Sequence, residues 1–202
     1  SQVKFKLKIT DVQTTVVKIP VSIRIGTMPK IAGTGTFLTI KTDEGIEGTA
    51  LTHFSFSDLA LATYIDSALK PMLVGQDPFQ VEAISKTIYD NTNRILFGIP
   101  QASSVIDVAL WDIIGKSLGK PIHKLLGGHK MKVPSYASFL FWMLPAQLAN
   151  TAKVAMEQGF KAVKIRIGKS LKEDEQCIKA VREVSPDLHI MADANSAYDN
   201  VK

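Results

Sequence analysis

The chain carries a single cysteine, Cys177. No intrachain disulfide can form, and a cytoplasmic setting is expected. Cys177 falls in a helical stretch with no thiol partner, so it reads as a plain buried or surface residue rather than a nucleophile. No run of about 18 apolar residues occurs, so no segment is expected to span a membrane. The charged N-terminus also lacks the apolar core of a signal peptide. The net charge is only +5, a weak basis for a nucleic-acid partner.

What is present is enough apolar material for a sizeable core: 46% of the 202 residues are hydrophobic, which excludes a disordered chain. Lys4, Lys6 and Lys8 alternate with Val3, Phe5, Leu7 and Ile9, the period of a half-buried strand with a basic outer face. Strand-like runs cover residues 3–18, 35–41 and 46–52, with Thr42 to Gly45 as the turn between the last two. They predict a three-stranded antiparallel sheet. Val21 to Gly35 holds four glycines or prolines beyond Pro20 and no periodicity, and reads as a loop over a site.

Helical patterns follow. Ser57 or Asp58 can cap a helix running to Leu69 with Leu59, Ala62, Ile65 and Leu69 on one stripe, stopped by Pro71 and Gly75. Pro78 opens a second helix with Val81, Ile84, Ile88 and Tyr89 inward. A third runs from Pro100 through Ala102, Val105, Ala109, Ile113 and Leu118 to Gly119, and Pro121 opens a short one ending at Gly127 and Gly128.

After Gly128 the rhythm changes to strand 133–139, helix 145–158, strand 162–167, helix 171–184 and strand 188–193. Strand and helix alternating at this spacing predict βαβ units on a parallel sheet. The expected domains are therefore 1–128 and 129–202. Three parallel strands cannot close a barrel, so the sequence is expected to be part of a longer protein.

Lys164 and Arg166 lie two apart on one of these strands and share a face, with Val163, Ile165 and Ile167 on the other. Two inward cations need an anion. A substrate carboxylate and carboxylates on neighbouring strands both satisfy that need. Asp193 and Asn195 close the next strand. Asp193 suits a magnesium ligand and Asn195 a substrate contact, while both residue types also serve as helix caps.

Here a specific resemblance appears. The run Ala102 to Lys116 (ASSVIDVALWDIIGK), continuing to Leu125-Leu126-Gly127-Gly128, resembles the helix-and-linker signature of the mandelate racemase/muconate lactonizing enzyme family of the enolase superfamily. Gly159 to Gly168 resembles that family's second barrel strand, and Met191 to Asn195 its third. The resemblance implies an α/β protein with an α+β capping domain, a three-stranded antiparallel sheet plus helices, then the first strands of a (β/α) TIM-type barrel.

It also implies an enzyme: a lyase or isomerase that uses Mg2+ to abstract the α-proton of a small-molecule carboxylate through an enediolate. Asp193 matches the first of three acidic metal ligands, and the other two would lie beyond Lys202. Acid dehydratase, racemase or epimerase, and muconate-type cycloisomerase all stay open, as does a catalytically silent homologue. A homo-oligomer is the family expectation. One departure matters: Arg166 stands where the common pattern has a lysine base, and a guanidinium holds its proton. That suits a carboxylate clamp, counts against a two-base racemase, and leaves Lys164 as stabiliser or base, or else a working base beyond Lys202. Tyr136, Ser138, Arg24 and His53 are the expected substrate contacts, the last two on loops at residues 21–35 and 51–57. Asp107 and Asp112 read as structural hydrogen-bonding groups.

Overall fold

The computed structural model describes residues 7–23, 31–52, 58–93 and 99–198. They form two compact units, one running through residue 129 and the other beginning at residue 130. Arg24 and His53, together with Lys4, Lys6 and Ser57, lie outside the described residues.

The first unit opens with an antiparallel sheet of strands β1 (Ile9–Ile23), β2 (Ile31–Thr42) and β3 (Glu47–Leu51), in that order. Alternation sets its faces: Ile9, Val12, Leu38, Ile40 and Ala50 are buried, and Lys8, Thr10 and Gln13 face outward. The β2–β3 turn is closed by Thr42, whose N–H and hydroxyl both bond the Ile46 carbonyl, at 3.1 and 2.7 Å. Within the stretch 21–35 expected to be a loop, Val21–Ile23 and Ile31–Gly35 instead continue the β1–β2 pairing. The backbone pairing runs through segments that lack side-chain periodicity, and pairing leaves no sequence signal of its own.

Helix α1 (Asp58–Tyr64) passes directly into a π-helical turn, Ile65–Leu69, and then helix α2 (Lys70–Leu73). Pro71 therefore does not stop the helix. It sits at the start of α2, where a missing N–H costs little, and the wider π-turn before it absorbs the clash with the preceding carbonyls. The inward stripe is Leu61, Ala62, Ile65, Leu69 and Leu73, while Leu59 is exposed. Helix α3 (Val81–Ile88) buries Val81, Ile84 and Ile88; Tyr89 begins a second π-turn and is exposed. Asp58 is no open cap. Its buried carboxylate accepts from the hydroxyls of Thr34, Thr36 and Thr52 at 2.6, 3.1 and 3.0 Å.

Helix α4 (Pro100–Leu118) is the centre of this unit. Eight of its residues are buried, and Gly119 ends it in the left-handed region. It packs so closely on β3 that a Cβ on Gly48 would stand 2.0 Å from the Ala109 carbonyl oxygen. Asp112 accepts from the Thr49 N–H at 2.9 Å, satisfying a donor on the sheet's edge strand, and Lys116 reaches both Asp112 and the Glu47 carbonyl at 2.7 Å. Asp112 is thus the structural bonding group the sequence indicates. Asp107 differs, for it takes no hydrogen bond from a described residue, and burial followed by the Glu82 charge pushes its carboxyl up. Helix α5 (Ile122–Leu125) completes the unit.

The second unit holds strands β4 (Ala137–Ser138), β5 (Ala162–Arg166) and β6 (His189–Asp193), all parallel, with helices α6 (Pro145–Glu157) and α7 (Leu171–Val184) between them. Strand β4 is much shorter than the expected run from residue 133. Residues 133–136 are exposed and unpaired in the sheet, so their apolar alternation has no partner to act on. Leu148, Ala152 and Ala155 of α6 and Cys177 and Val181 of α7 cover one face, meeting Val163 and Ile165. Phe139 and Trp142 join this core, whereas Phe141 stays exposed. Burial pushes the Cys177 thiol up, with Asp174 and Glu173 adding to it, which makes it an unreactive packing residue. Among the described residues no helix is long and apolar enough to cross a membrane.

Candidate active site

Parallel pairing sets Ser138 beside Lys164 and Arg166 beside Asp193. Registered neighbours share a face, so these side chains lie opposite the α6–α7 layer, toward the C-terminal ends of the strands. The alternation is complete on β5: Val163 and Ile165 have no exposed surface, while Lys164 and Arg166 keep partial access to solvent.

Asp193 is the meeting point. Its Oδ1 pairs with the charge of Arg166, 2.8 Å from Nη1, and accepts from the Asn195 N–H at 3.0 Å, while its Oδ2 faces Lys164 Nζ at 3.4 Å. The Asn195 N–H holds the Asp193 carboxyl below the usual carboxylate range, against partial burial, and Lys164 and Arg166 lower it further. Arg166 is the least exposed of the three charged side chains, at 13%. Its Nε donates to the Leu140 carbonyl at 3.3 Å and its Nη1 also reaches Asn195 Oδ1. One guanidinium therefore ties the segment after β4 to the end of β6. Lys164 is less committed. Its ammonium lies 5.7 Å from the Tyr136 ring centre, near the limit of a cation–π contact.

Of the residues expected from sequence, Lys164, Arg166, Asp193, Asn195 and Tyr136 come together, and Ser138 joins them through its register with Lys164. Asp193 caps no described helix; it supports the turn that follows β6. Of the two anion sources considered for Lys164 and Arg166, the neighbouring strand supplies one. Two cations share that single carboxylate, so the cluster keeps an excess positive charge suited to a further anion.

Two participants carry no signal in the sequence. Leu140 contributes only a backbone oxygen, which no side-chain pattern can reveal. Asp174, on the first turn of α7, is buried and binds the loop after β5 through the Gly168 N–H at 2.8 Å. The adjacent Ser170-x-x-Glu173 does announce itself as a capping box, with Glu173 N donating to Ser170 Oγ at 3.2 Å. Asp174 looks like one more acidic residue of a helix start.

A magnesium ion would need several hard oxygen donors. No three His, Cys, Asp or Glu side chains converge among the described residues. Asp193 fits one ligand position of such a site, and the described chain does not fill the rest.

Comparison with known proteins supplies the frame for this cluster. The mandelate racemase/muconate lactonizing enzyme N-terminal domain matches residues 4–127, and an enolase C-terminal domain-like model matches residues 147–202. The N-succinyl-L-Arg/Lys racemase of Bacillus cereus is 30% identical over 96% of this chain and 54% of its own length. The crystal structure of that racemase superposes with a TM-score of 0.82 at 27% identity, over 94% of this chain and 53% of its own. Arabinonate dehydratase of Saccharolobus solfataricus is 38% identical over 79% of this chain and 44% of its own length. D-galactarolactone cycloisomerase of Agrobacterium fabrum is 42% identical over 62% and 35%. The chain thus spans about half, or less, of the length of these relatives. The domain match over most of the first unit, the sheet order β1-β2-β3 followed by parallel strands, and the superposed fold agree: this chain belongs to the mandelate racemase/muconate lactonizing enzyme family of the enolase superfamily.

Proposed function

We propose that the whole protein is a magnesium-dependent lyase or isomerase that abstracts the α-proton of a small-molecule carboxylate. The observation that carries this reading is the pair of cations, Lys164 and Arg166, held around one carboxylate at the C-terminal ends of parallel strands. Removing a proton next to a carboxylate builds a second negative charge, and fixed positive charge at that point lowers the barrier. Lys164, with fewer fixed bonds, faces the substrate carboxylate and stabilises the enediolate or takes the proton. Arg166 stays protonated and holds Asp193 and Asn195 in place. Tyr136 and Ser138 line the same face, and Arg24 and His53 contribute substrate contacts. Bound magnesium, with Asp193 as one ligand, supplies further charge stabilisation.

Acid dehydration by a single base is favoured over a two-base racemisation or epimerisation. Arg166 in place of a lysine base argues for a one-base reaction, which also accommodates cycloisomerisation. A silent homologue is the reading of another class. The relatives' names justify a first substrate panel of N-succinylamino acids and sugar acids.

The test is calorimetric magnesium titration of the full-length protein and Asp193→Asn, followed by proton exchange of the panel in deuterated water. Binding that falls at least about tenfold in the variant, with exchange lost in Lys164→Met, supports the proposal. Equal binding in both proteins, or none in either, overturns the metal assignment and favours the silent homologue.

A further inference from the structure

Asp174 has a buried carboxylate whose partners come from two separate places in the chain. It accepts from the Gly168 N–H at 2.8 Å and the Lys169 N–H at 3.4 Å, both in the loop after β5. It also accepts from the hydroxyl of Tyr198, 24 residues away, in the segment after β6. Helix capping does not explain this arrangement, because Ser170 already caps α7. A carboxylate with only 4% of its residue surface exposed needs all its acceptor capacity filled, and here that capacity joins two strand-end loops.

The loops are interlocked by shape as well. Gly168 has φ +105, and a Cβ there would stand 2.5 Å from Ala197 Cβ and 3.0 Å from the Ala194 carbonyl. The turn pressed onto it contains two consecutive non-glycine residues at positive φ, Asn195 at 45° and Ser196 at 58°. Side chains avoid that region, so the surrounding contacts must hold the turn. That turn is what presents the Asn195 N–H to Asp193 and the Asn195 amide oxygen to Arg166.

We propose that Asp174 is a positioning residue of this site, acting with Tyr198 as a latch that clamps the β5–α7 loop onto the turn after β6 and so fixes Asp193 and Asn195. Its importance for catalysis rests on the function proposed above; the latch itself does not.

The experiment compares full-length wild type with Tyr198→Phe, which removes one hydroxyl, and with Asp174→Asn. Amide hydrogen exchange is read at Asn195 and, as a reference, along α6. Exchange at Asn195 is expected to rise about tenfold in both variants while α6 is unchanged, with the Kd for magnesium alone rising about threefold or more. An unchanged Asn195 amide in Tyr198→Phe, or acceleration matched throughout α6, overturns the latch. Faster exchange at Asn195 with an unaltered magnesium Kd overturns its role in positioning the site. Absence of magnesium binding in wild type defeats the proposed function, while the Asn195 exchange still decides the latch.

Discussion

Arg166 Nη1 and Asp193 Oδ1 form an ion pair at 2.8 Å, straight across the parallel register that places these two residues side by side. The remaining bonds of the guanidinium, to Leu140 and Asn195, make it a three-way tie rather than a free clamp.

Arg166→Met is therefore expected to destabilise the second unit by about 2 kcal/mol, because the Leu140 carbonyl and the Asn195 amide oxygen lose a donor while Asp193 loses its closer ion pair. Arg166→Lys should recover only part of this, since an ammonium cannot reproduce the Nε and Nη1 geometry. Urea unfolding of the three proteins checks the order.

Asp193 also makes the fold sensitive to acid. Its carboxyl is held below the usual range by the Asn195 N–H, Lys164 and Arg166. A lowered native value means its contribution is present above the ordinary aspartate range and is lost as pH falls through the lowered value. Wild type should lose more stability than Asp193→Asn as pH falls through and below the ordinary aspartate range, as read by thermal melts. Parallel curves would contradict this.

Tyr198 acts at the other end of the scale. Its hydrogen bond to Asp174, then burial and the Asp174 charge, push the phenol up. A raised native value means the latch persists through the ordinary tyrosine range and is lost as pH rises beyond it. Phenolate absorbance during alkaline titration should show a late component that is lost in Tyr198→Phe.

In the first unit, Gly48→Ala should destabilise by about 3 kcal/mol or more, because the new methyl meets the Ala109 backbone oxygen rather than a flexible side chain. Thermal denaturation reads this directly, and a loss below about 1 kcal/mol would show that α4 can retreat from β3.

Asp58→Ala should cost about 3 kcal/mol, leaving the hydroxyls of Thr34, Thr36 and Thr52 without their shared acceptor. Asp58→Asn keeps an acceptor oxygen and should fall between the two.

The sequence by itself determined what local periodicity encodes. Alternation at Lys164 and Arg166 placed both on one face because a strand turns each side chain by half a revolution. Proline at the first position of α4 and glycine just after it bounded that helix through backbone sterics alone. The Asp193–Asn195 spacing likewise marked a strand end. Tertiary structure decided whatever depends on partners distant in the chain. The hydroxyls that surround Asp58 come from β2 and from Thr52 just after β3, so its role differs from that of an open cap. Pro71 is tolerated because a π-turn precedes it and the surrounding core holds Ile65 and Leu69 in place. Arg166 finds a backbone oxygen 26 residues away, and Asp174 a phenol 24 residues away. An isolated aspartate at a helix start has the same local pattern whether it faces water or joins two loops; only folding brings Gly168 and Tyr198 within reach and makes that carboxylate part of the site.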